Sequence, residues 1–239
     1  MEPVDDFRIT NPPANPELLK VLTTALVDSE FRMRPLVRMI ANSRVYQTSS
    51  EQNETNRDDE QNFSRVNVTR LPAEVLLDAI DQVTEVASTF DGYDRGIRAG
   101  QLPGINKTYR RETPKGGLKF LELFGKPARI MTCSCERMTE TTLGQVFELT
   151  SGELLHKKLA DRRNCLEDLI HDVPSTDGVS PDDSSVTSSA DAEVIDELYW
   201  RTLSRPTNAD ERESLVQYVA DTSDRRKAFE DILLSLIHI

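Results

Sequence analysis

The sequence predicts a mainly α protein: a helical domain, a long irregular insert with room for short strands, and a C-terminal helical module. Three observations carry this. Apolar residues recur at helical spacing in separate segments, as in Leu18, Leu19, Leu22, Ala25 and Leu26, and again in Val75, Leu76, Ala79, Ile80 and Val83. Helix-start chemistry precedes such stripes, as Asn15-Pro16, Leu71-Pro72 and Thr207-Asn208. Residues 90–117 concentrate Gly92, Gly96, Gly100, Gly104, Gly116, Gly117, Pro103 and Pro114, a composition suited to irregular backbone.

In chain order, Asn15 can cap a first helix that has Pro16 at its first position and runs to about Ser29. Pro35 opens a second, to about Asn42, which gathers Leu36, Val37, Ile40 and Ala41; the two are expected to form an antiparallel pair. Residues 47–62 are polar and read as a loop. The third helix follows Leu71-Pro72 and reaches about Ser88. Residues 118–124 form a short helix that Gly125 can terminate. The pattern is helical again from Thr142 to about Asp172, with a break near Ser151-Gly152.

Residues 173–189 are rich in Ser, Asp, Pro and Gly, within a stretch, 164–200, that carries no Lys or Arg. They read as an acidic linker. Helices over 190–203, 208–222 and 224–233 follow, the middle one capped through Thr207-Asn-Ala-Asp-Glu211. Trp200 sits at helical spacing with Leu203 and is expected in the core. The chain is thus divided into residues 1–172, a linker 173–189, a module 190–233 and a tail 234–239. That tail, Leu234-Ser-Leu-Ile-His-Ile239, matches the translation of a common transposase sequencing adapter. It is read as adapter-derived, the alternative being a natural amphipathic helix end, and His238 is given no functional weight.

The chain has 239 residues, enough for one or two domains with a real core, and a formal net charge of -12. Such a field repels phosphate backbones and argues against nucleic-acid binding. The nearest thing to a basic cluster is read at Lys107, Arg110, Arg111 and Lys115. No apolar run reaches the roughly 18–20 residues of a membrane span. Three cysteines are too few for a disulfide scaffold. The sequence contains no Cys-x-x-Cys-His, phosphate loop, Gly-x-Ser-x-Gly or His-Glu-x-x-His motif.

Three polar clusters remain as candidate chemistry. Asp5, Asp6 and Arg8 precede the turn-rich Asn11-Pro-Pro-Ala-Asn15, where paired carboxylates suit acid/base work or a cation, and equally a turn network. Asn53, Asn56, Asp59, Asn62, Ser64 and Arg65 suit a sugar or carboxylate pocket, with Arg65, Arg70 and Arg129 able to clamp an anion. The competing reading is an ordered loop held by amide hydrogen bonds and by arginine pairs to Glu74 or Glu136. Cys133-Ser-Cys135-Glu136-Arg137 suits buried thiols beside an ion pair, a disulfide, or two ligands of a metal.

These blocks also carry a resemblance. Asn53-Glu-Thr-Asn56-Arg-Asp-Asp59 to Arg65, Arg70-Leu-Pro-Ala-Glu74, and Phe124-Gly125-Lys-Pro127-Ala-Arg129 to Arg137 occur in order with Arg44-Val-Tyr-Gln47, Gly96-Ile-Arg98-Ala99 and Glu197-Leu-Tyr-Trp-Arg-Thr-Leu-Ser-Arg205-Pro206. Over residues 2–233 the chain resembles the planctomycete-type domain of unknown function (the PSD-type domain, catalogue label DUF fifteen-fifty-three). The resemblance implies the C-terminal domain of a longer, exported protein, with a cytochrome c segment upstream. It thereby implies a periplasmic or envelope setting, the upstream domains and a sulfatase-like protein as partners, and haem only upstream, with no cofactor in this fragment. Met1 falls inside the family's opening motif, so the chain is read as a fragment.

Two functions compete. One is a non-catalytic binding or assembly domain. The other is an enzyme acting on carbohydrate, including sulfated polysaccharide, with Asp5, Asp6, Glu74 or Glu136 as carboxylates. Arg8, Asn53, Asn56, Arg65, Arg129 and Arg137 are the binding candidates under either.

Overall fold

The structure is a computed structural model that describes residues 8–59, 63–103, 114–127, 140–172 and 184–238. They are mainly helical, as the sequence predicts, and no strand occurs among them. They divide into two compact units, the first running to Arg70 and the second from Leu71 onward.

The first unit contains α1 (Pro16–Asp28) and α2 (Met33–Ala41), which pack on each other. The Asn15 side chain accepts from the Leu18 amide at 2.9 Å and Pro16 opens the helix, so the cap works as the sequence suggests. Between the helices, Glu30 and Phe31 take left-handed φ values of 56° and 60°. Neither helix has a buried residue. Leu22, Ala25, Leu26 and Leu36 are half-buried, while Met33, Val37 and Ile40 on α2 are exposed.

The second unit holds the core. It comprises α3 (Ala73–Thr84), a 3-10 turn at Ala99–Gln101, α4 (Gly116–Leu123), α5 (Leu143–Ser151), α6 (Glu153–Ala160), α7 (Cys165–Asp172), α8 (Ser184–Leu203), α9 (Ala209–Asp221) and α10 (Arg225–His238). On α8 the stripe Val194, Ile195, Leu198 and Tyr199 is buried, and on α10 Ala228, Phe229, Ile232, Leu233 and Leu236. α10 touches α5, α6, α7, α8 and α9, so it closes the unit. Each of its fully buried large side chains contributes about 2 kcal/mol of apolar transfer free energy.

Local chemistry explains the boundaries. α3 stops at Thr84, four residues before the expected Ser88. Glu85 turns left-handed at φ 59°, and the chain returns so that the Ser88 amide and hydroxyl donate to Asp81 at 2.7 and 2.8 Å. α4 ends in a Schellman arrangement, with Gly125 at φ 84° donating to Glu122 O at 3.1 Å and the Lys126 amide to Leu121 O at 2.8 Å. The break between α5 and α6 falls at Gly152, where an added Cβ would lie 2.0 Å from Glu148 O. Asn164 joins α6 to α7: its Nδ2 donates to Lys158 O and Leu159 O, and its Oδ1 accepts from the Leu166 amide. Asn208 and Glu211 cap α9 reciprocally.

Three expectations change. α8 begins at Ser184, inside the stretch read as linker, because a helix once nucleated gains a hydrogen bond for each residue added. α10 continues past Leu233 to His238, with Leu236 buried and His238 Nε2 at 2.7 Å from Leu149 O. Trp200 is not in the core. It is 52% exposed, since the buried stripe of α8 at 194, 195, 198 and 199 leaves position 200 pointing outward.

Candidate functional site

The polar block of the first unit folds into a closed loop. Its ends meet where the Val66 amide donates to Ser49 O at 3.1 Å. Inside it, Asn53 Oδ1 accepts from the Thr55 and Asn56 amides and from Thr55 Oγ1, each at 2.9 Å. Asn56 Oδ1 accepts from the Asn53 amide at 2.7 Å, and Asn56 is buried. These are Asx-type contacts, in which short amides replace the backbone partners an irregular loop lacks. Asp59 is engaged by the Ser64 amide at 3.1 Å and by its hydroxyl.

Arg65 ties the loop to its own stem. Its Nε donates to Asn56 O at 3.1 Å and one Nη2 donor to Arg57 O at 3.2 Å. A guanidinium has five N–H donors, and among the described residues these two bonds occupy its Nε/Nη2 side. The half-buried side chain lines a cleft of about 680 Å³, together with Val45, Tyr46, Thr48, Ser50, Phe63, Val66 and Asn67. Tyr46 and Phe63 are 64% and 60% exposed. Phe63 also sits at φ 55°, a left-handed conformation that costs a bulky L-residue on the order of 1 kcal/mol and recurs at ligand sites.

Of the residues singled out in the sequence, Asn53, Asn56 and Arg65 come together here. The two asparagines spend their acceptors on the loop, and only Arg65 of the three lines the cleft. Arg8 is exposed, with its carbonyl accepting from the Asn11 amide at 2.9 Å. Glu74 belongs to the second unit, half-buried in the first turn of α3, where a carboxylate complements the helix dipole. Asp5, Asp6, Arg129, Cys133, Cys135, Glu136 and Arg137 lie outside the described residues.

The second unit has its own cleft, of about 330 Å³, near Asp78, Asp81, Glu85 and Arg98. Its carboxylates are structurally engaged. Asp78 caps the 3-10 turn, accepting from the Ala99 and Gly100 amides at 2.7 and 3.0 Å. Asp81 pairs with the buried Lys158 at 2.7 Å, and Lys158 also reaches Val86 O. Glu85 pairs with Arg201, which is held in turn by Glu197 at 2.8 Å. Carboxylates committed in this way brace α3 against the 3-10 turn, α6 and α8.

Electrostatics elsewhere is equally structural. Burial pushes the Cys165 thiol up to about 11, so it is a protonated core side chain at neutral pH. The Arg163 guanidinium holds Asp161 down to about 2, and Arg205, with the Asn208 amide, does the same to Glu211. Among the described residues, no group of three or more His, Cys, Asp or Glu is placed to hold a metal, and no helix is long and apolar enough to cross a membrane.

Two features escaped the sequence reading. Tyr46 and Phe63 were part of family-like blocks and gave no sign of walling a cleft. The first unit also concentrates Arg32, Arg34, Arg38 and Arg44 within residues 31–48, which hold no Asp or Glu. That charge pattern was visible in the sequence; of the cluster read at Lys107–Lys115, Lys107, Arg110 and Arg111 lie outside the described residues and Lys115 is exposed. No curated protein and no solved structure matches the chain. A family model does, over residues 1–219, and the chain belongs to the family described as PSD1, "Protein of unknown function (DUF1553)".

Proposed function

We propose that this chain is a non-catalytic binding or assembly domain, in which the second unit is the folded body and the α1–α2 pair is the docking surface. One observation carries the reading: Met33, Val37, Met39 and Ile40 on α2, with Phe31 just before it, are 38–70% exposed. Arg34 and Arg38 lie on the same short helix and are exposed as well. Aromatic residues, Met and Arg are the types that protein–protein interfaces enrich. The partner is a protein domain, and the resemblance points to the upstream, cytochrome c-bearing part of full-length family members. The chain itself is assigned no cofactor.

The test is calorimetric titration of this chain with that upstream part from a full-length relative. A saturable complex is expected. Val37→Glu with Ile40→Glu should weaken it at least tenfold while leaving thermal stability unchanged, because both side chains are already exposed. No complex, or one indifferent to the double variant, overturns the surface. Hydrolytic or redox turnover by the purified chain overturns the non-catalytic assignment.

A further inference from the structure

We propose that the Arg65 cleft is a binding site for a small ring-bearing oxyanion, a carboxylate or sulfate carried on a ring with a flat apolar face. The site is separate from the α1–α2 surface, and the proposal goes beyond assembly.

Arg65 has its Nε and one Nη2 donor bound to the carbonyls of Asn56 and Arg57. A guanidinium fixed along that side keeps its orientation, and the Nη1/Nη2 end can still offer two parallel N–H donors. That fork matches the two oxygens of a carboxylate or sulfate. Two loop carbonyls thus pre-order a side chain that would otherwise lose rotamer freedom on binding.

The walls specify what the anion is carried on. Tyr46 and Phe63 line the same cleft and are more than half exposed, so two aromatic rings can accept an apolar face. Val45 and Val66 add apolar surface, and Thr48, Ser50 and Asn67 add hydroxyl and amide groups for ring substituents. The sequence around the cleft carries both signs: residues 31–48, which contribute Val45, Tyr46 and Thr48 to the wall, hold four arginines and no carboxylate, while the loop that closes it holds Glu51, Glu54, Asp58 and Asp59, so the Arg65 fork and not the surrounding field selects the anion.

The ring chemistry has three sources: a uronic acid, a sulfated sugar or an aromatic acid. The experiment titrates the isotope-labelled full chain, followed by amide chemical shifts, with glucuronate, glucose 6-sulfate and benzoate, and with glucose and acetate as controls. At least one ring oxyanion is expected to give saturable shifts over residues 45–50 and 63–67 and to bind at least tenfold more tightly than glucose or acetate; which one binds names the source. Arg65→Lys should weaken it tenfold or more, because an ammonium lacks the fork. Tyr46→Ala and Phe63→Ala should weaken it while the amides of residues 53–57 keep their wild-type shifts, which separates a lost contact from a lost loop. Absence of saturable shifts with all three, glucose binding as tightly as glucuronate, or an unaffected Arg65→Lys variant overturns the site. These readouts fall on residues 45–67, so their failure is distinguishable from failure of the α1–α2 surface.

Discussion

The second unit buries Phe229, Leu198 and Leu233 completely, whereas the first buries no large apolar side chain among its described residues. Both contain amphipathic helices with legible apolar stripes. The difference lies in how many faces converge. α10 packs against five other helices, while among the described helices α1 packs chiefly on α2. Two short helices cannot enclose a core between them, so their stripes stay half-covered. A periodic stripe therefore states which side of a helix is apolar and says nothing about what covers it.

The comparison can be broken most directly by truncation. Phe229→Ala should cost about 3–5 kcal/mol in denaturant unfolding, as expected for a buried aromatic. Val37→Ala in the first unit should stay within about 0.5 kcal/mol. Equal effects would mean the first unit has a core of its own. Next in size is Lys158→Ala, which removes the cation beside Asp81, leaves that carboxylate to the Ser88 amide and hydroxyl, and should cost about 3 kcal/mol. A loss well below that would show the pair to be hydrated and not a brace.

Smaller effects sharpen the contrast. Asn56→Ala removes the acceptor for the Asn53 amide and should cost about 1 kcal/mol. Its signature is local: hydrogen exchange should quicken over residues 51–57 and stay unchanged on α8 and α10. The smallest concerns pH. Because the folded-state value of Glu211 is depressed from 4.5 to about 2, its contribution is fully present above that ordinary value and is lost as pH falls toward 2. Glu211→Gln should remove that portion of the acid sensitivity by lowering stability above pH 5 towards its acid value, with little change near pH 2, as read by thermal melts across the range.

Legibility followed the range of the interactions. Asn15-Pro16, Asn208 with Glu211, Gly125 and the break at Gly152 were readable because cap and turn chemistry acts over a few residues. The early stop of α3 was not, since it depends on Ser88 returning to Asp81, on Glu85 meeting Arg201 116 residues away, and on Lys158 reaching across from α6. The candidate site divides the same way. Asn53 and Asn56 stood out as a polar block and turned out to be internal loop bonds. The cleft itself needed the ends of that loop to meet at Ser49 and Val66, which brings Tyr46 beside Phe63 and Arg65, a juxtaposition no spacing rule announces.

α10 has a consequence for how the protein is made. The helix that touches five others in the second unit follows α3 to α9 in the chain. On a ribosome, Leu155, Leu166 and Ile195 emerge before the side chains that will cover them, so these helices wait with apolar faces in water until Phe229 and Leu233 arrive. The interval before that late segment arrives is when the nascent chain is most open to aggregation or chaperone capture.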